Sequence, residues 1–162
     1  MTHRFHDDAP VGRVALFPGT FNPFTLGHAS VVERSLPLFD RIVIAVGVNI
    51  EKGMPPSIPA VEAIRRVYAD EPRVDVVAYG GLTVDVAREA GARFLLRGVR
   101  SVKDFEYERT LADANRGIGG LETVLVFSLP EYSWLSSTVV RDLMAHGRDV
   151  AQYLPEGYSL DC

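Results

Sequence analysis

The chain has 162 residues, 47% of them hydrophobic and 23% charged, with a formal net charge of −4, the balance of a single globular domain with its own core. The acidic balance argues against a nucleic-acid binder. The lone cysteine, Cys162, excludes an internal disulfide or a thiolate metal site, and no apolar run approaches the ~20 residues that span a bilayer. Residues 1–10 carry His, Arg and Asp without an apolar stretch, so they are expected to be a disordered lead-in rather than a signal peptide. Residues 11–162 are expected to form one domain, in a cytoplasmic setting.

In chain order, short β-branched runs alternate with amphipathic stretches. Strands are predicted over residues 13–17 (RVALF), 41–47 (RIVIAVG), 74–79 (VDVVAY), 93–96 (RFLL) and 123–127 (TVLVF). Several are nearly continuous apolar runs, as strands covered on both faces require. Helices are predicted over 27–38, 59–70, 84–90, 104–116 and 137–146. This alternation predicts an α/β fold: a single-domain, Rossmann-like, doubly wound parallel sheet of five strands with flanking helices. Ligands bind such sheets beyond the carboxyl ends of the strands. Five segments should lie there, at 18–28, 48–57, 80–83, 97–103 and 128–137, and they hold most of the Gly, Pro and unpaired polar residues.

The first segment contains Gly19-Thr20-Phe21-Asn22-Pro23-Phe24-Thr25-Leu26-Gly27-His28. Gly19 allows a close approach of the backbone to a ligand, and Thr20 supplies a hydroxyl at a strand end. Gly27-His28 opens a helix, where free N–H groups and the positive dipole end favour an anion. The bland alternative for His28 is a helix cap. Neither the Gly-x-x-x-x-Gly-Lys-Ser/Thr nor the Gly-x-Gly-x-x-Gly pattern occurs. In the fourth segment Arg97 ends a strand, Gly98 turns the chain and Arg100 follows. Two guanidinium groups there can grip phosphates with paired bonds, or else form salt bridges to Asp104 or Glu108. On the next helix Tyr107, Leu111 and Asn115 share a face. Tyr107 and Leu111 fit a core, whereas Asn115 can reach an amide. In the fifth segment Ser136-Ser137-Thr138 suits a helix N-cap or a second phosphate-facing helix start. Lys52, alone in a loop, reads as solvated.

Together these segments resemble the bacterial phosphopantetheine adenylyltransferases of the nucleotidylyltransferase superfamily, nearly colinearly from Val14 to Pro155. The shared motifs are Thr25-Leu26-Gly27-His28 preceded by Gly19-Thr20-Phe21, and Arg97-Gly98-Val99-Arg100 followed by Asp104-Phe105-Glu106-Tyr107-Glu108 and Asn115-Arg116. The resemblance implies adenylyl transfer from ATP to 4′-phosphopantetheine in coenzyme A synthesis, by in-line attack without a covalent intermediate. It implies catalytic roles for His28, Thr20, Lys52 and Arg97. It implies ATP binding by Thr20, Phe21, His28, Gly98, Val99, Arg100, Glu108, Tyr132, Ser133, Trp134, Leu135, Ser136, Ser137 and Thr138. Phosphopantetheine would be bound by Thr20, Lys52, Thr83 and Arg97, with Leu82 and Asn115 as lesser contacts. No protein metal site is implied; Mg²⁺ would be bound mainly through ATP. A homohexamer and feedback by coenzyme A are further implications, with neither nucleic acid nor membrane as a partner. The chain departs from the pattern at Asn22, usually Asp, at Gly53–Glu62, which lacks the usual helix start, and at Thr138, often Ser. Its short tail after Gly157 is expected to lack a C-terminal helix. The competing readings are a nucleotidylyltransferase for another acceptor, such as nicotinate mononucleotide, and a nucleotide-binding module without catalysis.

Overall fold

The computed structural model describes residues 12–48 and 58–159. The predicted lead-in, Lys52 and residues 53–57 of the unusual segment after it lie outside the described residues. Five strands, β1 (Val14–Gly19), β2 (Arg41–Gly47), β3 (Val74–Tyr79), β4 (Phe94–Val99) and β5 (Glu122–Phe127), alternate with α1 (Leu26–Ser35), α2 (Ile58–Val67), α3 (Thr83–Glu89) and α4 (Val102–Gly119), and α5 (Ser137–Ala145) follows β5. All strand pairs are parallel and the spatial order is β3-β2-β1-β4-β5. The predicted doubly wound five-stranded sheet is therefore the observed one.

The apolar runs do what a two-faced sheet requires. In β2, Ile42 and Ile44 join Phe17, Val32 and Ile64 in a core on one face. Val43 and Ala45 join Leu16, Ala87 and Leu95 on the other, because successive side chains of a strand alternate. A third small cluster, Leu135, Val140 and Val150, seats α5 and its preceding loop. After α5 the described chain has only a short 3₁₀ turn, Ala151–Tyr153. It then returns to the main core, where the Phe24 N–H donates to the Tyr158 hydroxyl at 3.3 Å.

Three boundaries differ from expectation in a way that matters. β1 runs through Pro18 and Gly19 rather than ending at Phe17. β4 begins one residue late, at Phe94, but runs through Arg97 and Gly98 to Val99. Helix α4 is longer at both ends, from its Ser101 cap to the left-handed Gly120 at φ 66°. Sequence punctuation by Pro and Gly suggested turns, but neighbouring strands hold these residues extended: Pro18 and Gly19 pair with Ala45 and Val46, and Arg97 and Gly98 with Leu125 and Val126.

The chain order reverses between β1 and β4. These two strands pair only at Ala15–Phe94 and Leu16–Leu95, whereas β1 and β2 pair over six residues. Pro18 has no N–H to donate, so the ladder cannot continue past it on the β4 side. The carboxyl ends of β1 and β4 thus stand unladdered at the switch in strand order, where such sheets bind ligands.

Candidate active site

The gap is bridged by one side chain. Arg97 Nη1 donates to the Pro18 carbonyl at 2.6 Å. Its Nε and Nη2 donate to the two carboxylate oxygens of Glu108 at 2.9 and 2.8 Å. Glu108 projects from α4 and is the only buried charged residue among those described. A guanidinium has five N–H donors. Three are used here, leaving one on each Nη free for a ligand.

Two cavities flank this bridge. The larger, about 420 Å³, is lined on one side by Pro18 to Phe21, Gly27 and His28, on another by Arg97, Gly98 and Arg100, and on a third by Ser136, Ser137 and Thr138. The smaller, about 150 Å³, is lined by Thr83, Leu111, Asn115 and Thr123. Both share Pro18, Gly19, Thr20, Arg97 and Glu108. Thr20 and Arg97 therefore stand on the boundary. A still larger hollow, about 890 Å³, follows the exposed flank of β3 and takes in Leu82. It lacks both cleft arginines and both helix starts, so the chemistry is assigned to the paired cavities.

His28 is held by its own helix start. Its Nδ1 accepts from the Thr25 N–H at 3.0 Å and lies 3.1 Å from the Thr25 hydroxyl. A backbone N–H can only donate, so in the neutral ring the proton sits on Nε2. The ring also meets Phe21 edge-on at 5.1 Å and stacks on Phe24 at 5.5 Å. Burial first, then the charges of Arg100 and Arg97, push its pKa from 6.5 to about 4. His28 is thus a neutral hydrogen-bond donor at neutral pH. The cap and the functional reading are not alternatives, because capping is what aims the proton.

Around it the loop is clasped by α5. Ser136 caps that helix, accepting from the Val139 N–H. Ser137 donates to the Pro23 carbonyl at 2.8 Å, and Arg141 to the Asn22 carbonyl at 2.6 Å. Asn22 thus contributes its backbone here. Arg141 lines the larger cavity and was missed from the sequence; its signal was a cation one turn beyond Ser137-Thr138, on the same helix face. Ser128, after β5, and Asp104 also line this cavity. Arg100 pairs with Asp104 at 3.5 Å.

Several expected residues sit differently. Gly19 faces a side chain of its own chain: a Cβ there would lie 2.8 Å from the Phe21 ring. Phe21 is itself 3% exposed, at φ 46°, and belongs to the lining of the larger cavity. Tyr107 is exposed rather than core, and Leu111 lines the smaller cavity. Val99 is buried under the strand end. Ser133 and Trp134 are outside both cavities, Ser133 bonded to the Pro130 carbonyl and Trp134 set edge-on against Tyr153. Lys52 lies outside the described residues.

Residues 16–143 match the family model described as cytidylyltransferase-like. Over 150 residues the chain is 49% identical to the phosphopantetheine adenylyltransferase of Bacteroides thetaiotaomicron, covering 92% of this chain and 99% of that protein. It is 52% identical over 149 residues to the same-named protein of Porphyromonas gingivalis, covering 91% and 97%. In fold it is similar to a bifunctional NMN adenylyltransferase/ADP ribose pyrophosphatase from Francisella tularensis, with a TM-score of 0.64 and 15% identity, over 88% of this chain and 45% of that one.

In ¹⁵N-resolved NMR the His28 ring should stay in the Nε2–H form from pH 8 down to about 5, titrating near 4; a midpoint near 6.5 would contradict it. Because its folded-state pKa lies below the unfolded value, His28 stabilises the fold fully above about pH 6.5 and progressively less as pH falls towards 4. Gly19→Ala should displace the Phe21 ring, cost about 1–3 kcal/mol in denaturant unfolding, and lower turnover by disturbing the ring that packs on His28. Unchanged stability would show that the Phe21 ring yields without cost.

Proposed function

This chain belongs to the cytidylyltransferase-like family and, within it, to the phosphopantetheine adenylyltransferases, and from that premise we propose that it transfers the adenylyl group of ATP to 4′-phosphopantetheine, giving dephospho-coenzyme A and pyrophosphate. The supporting observation is the pair of cavities that meet at Thr20 and Arg97. One carries two helix starts and a neutral histidine donor; the other carries Thr83 and Asn115 among apolar side chains. That division suits a triphosphate on one side, an amide-bearing arm on the other, and two phosphates brought together at the boundary.

The acceptor phosphate is already an anion, so no general base is required. One of its oxygens attacks the α-phosphorus of ATP in line. The new P–O bond forms as the bond to the α,β-bridging oxygen breaks, and the electron pair leaves with pyrophosphate. The site's work is to hold two anions together and to offset charge building on the α-phosphate. His28 Nε2–H donates to that phosphate. Arg97 holds the acceptor phosphate with its two unused donors, helped by Thr20 and, by family resemblance, Lys52. Arg100, Arg141, Ser137, Thr138 and the N–H groups opening α1 and α5 take the triphosphate. Glu108 acts through Arg97, whose guanidinium it fixes from behind.

Both carboxylates that line the larger cavity, Asp104 and Glu108, are paired with arginines, and the described residues contain no group of three or more potential metal-binding side chains. Mg²⁺ is proposed on family resemblance: it would be bound mainly through ATP and would neutralise charge on the pyrophosphate leaving group. Coenzyme A, which joins an adenylate to a pantetheine arm, is the proposed feedback ligand on family resemblance. No described helix is long and apolar enough to cross a membrane. A cytoplasmic homohexamer is proposed on family resemblance.

With ATP and phosphopantetheine the purified protein should form dephospho-coenzyme A, detected by mass spectrometry. Equal turnover of nicotinate mononucleotide would sink this reading, as would nucleotide binding without product. His28→Ala should lower kcat by roughly 100-fold or more with little change in ATP affinity, as loss of a transition-state donor predicts; an unaltered kcat would leave His28 a cap alone. Arg97→Ala should raise KM for phosphopantetheine far more than KM for ATP, through loss of charge-assisted bonds, and a defect confined to ATP would reassign it.

A further inference from the structure

The loop that leads into His28 is clamped at one peptide group from two sides. The carbonyl of Pro23 accepts from the Ser137 hydroxyl at 2.8 Å. The N–H of the same peptide, that of Phe24, donates to the Tyr158 hydroxyl at 3.3 Å. The Pro23–Phe24 bond is trans, so its carbonyl and N–H point in opposite directions. Ser137 and Tyr158, 114 and 134 residues further along the chain, therefore hold it from opposite sides. Phe24 is sealed from solvent, so the Tyr158 hydroxyl takes the place of water for that N–H.

The next N–H along the chain, that of Thr25, donates to His28 Nδ1 at 3.0 Å. The Phe24 side chain between the two N–H groups stacks on the imidazole at 5.5 Å. Two of the contacts that aim Nε2–H thus depend on where the Pro23–Phe24 peptide sits. A rotation of that peptide would swing the Thr25 N–H and the Phe24 ring together. Tyr158 comes from the tail beyond the last 3₁₀ turn. Its ring is half-buried against the main core, with its centroid 6.4 Å from that of Phe24. It lines neither cavity of the cleft, so its influence on the reaction runs through the loop.

We propose that Tyr158 is a positioning residue whose hydroxyl fixes the Pro23–Phe24 peptide and, through it, the aim of the His28 ring. The catalytic consequence rests on the adenylyl-transfer reading above. A donor turned away from the α-phosphate loses stabilisation of the transition state, while the arginines and helix starts that bind the two substrates stay in place. The tail is in this way part of the catalytic apparatus without reaching the cleft.

Tyr158→Phe removes the hydroxyl and keeps the ring, while Tyr158→Leu removes both. Steady-state kinetics on the full chain, with ATP and phosphopantetheine at a temperature where each variant is folded, should show kcat lowered about tenfold in Tyr158→Phe. Both KM values should stay within about twofold of wild type. In ¹⁵N-resolved NMR of the same variant the His28 ring resonances should shift. Their titration midpoint should rise above the wild-type value of about 4, because a loosened ring is less completely desolvated. Unmoved His28 resonances overturn the assignment. So does a Tyr158→Phe variant with wild-type kcat beside an impaired Tyr158→Leu, which would report packing alone, or a rise in both KM values, which would report a deformed cleft. A wild type that makes no dephospho-coenzyme A overturns the function reading alone, because the His28 resonances still decide the role of Tyr158.

Discussion

The site depends on a ladder that stops. Pro18 has no N–H, so β1 cannot keep bonding to β4 beyond Leu16–Leu95. The Pro18 carbonyl left over is taken by Arg97. Arg97 is in turn anchored by a buried carboxylate from α4. A single guanidinium thus replaces the missing rungs, closes the sheet at the switch in strand order, and still presents two donors outward. Removing Glu108 would leave that cation without the partner that orients it, which is why a buried ion pair here is a positioning device more than a source of stability.

The second constraint is the packing of α1's first turn. Thr25 orients the His28 ring through Nδ1, and Phe21 and Phe24 hold it from two sides. Gly19 is small because the Phe21 ring lies over it. Burial and the cleft arginines then keep the imidazole neutral. In the proposed adenylyl transfer, a charged imidazolium would attract a phosphate more strongly in the ground state, whereas a neutral, pre-aimed Nε2–H would cost no reorganisation as charge develops in the transition state.

The third element is the clasp between α5 and the loop after β1. Ser137 and Arg141 bind the carbonyls of Pro23 and Asn22, so the two helix starts that face the larger cavity are tied to one another. The cleft is assembled from three separate loops, yet each is fastened to a neighbour by at least one hydrogen bond to backbone. A site on loops held this way can keep the precision that catalysis needs.

By itself the sequence determined the elements that local periodicity controls. Apolar runs marked all five strands, and the alternation with amphipathic helices predicted the parallel sheet. The motifs at Gly19–His28, Arg97–Glu108 and Tyr132–Thr138 marked which strand ends carry chemistry, because glycines, caps and phosphate-binding side chains have short-range signatures. Only the tertiary structure decided how those residues are used. It showed Pro18, Gly19, Arg97 and Gly98 inside strands, since pairing to neighbours overrides local turn preference. It paired the carboxylate of Glu108 with Arg97 inside the larger cavity's lining, and brought in Arg141, whose significance depends on the cavity it borders. Arg97 and Pro18 are 79 residues apart, and Ser137 and Pro23 are 114 apart. Contacts at that separation leave no periodic trace in a sequence, because they are set by which strand ends the sheet order brings together.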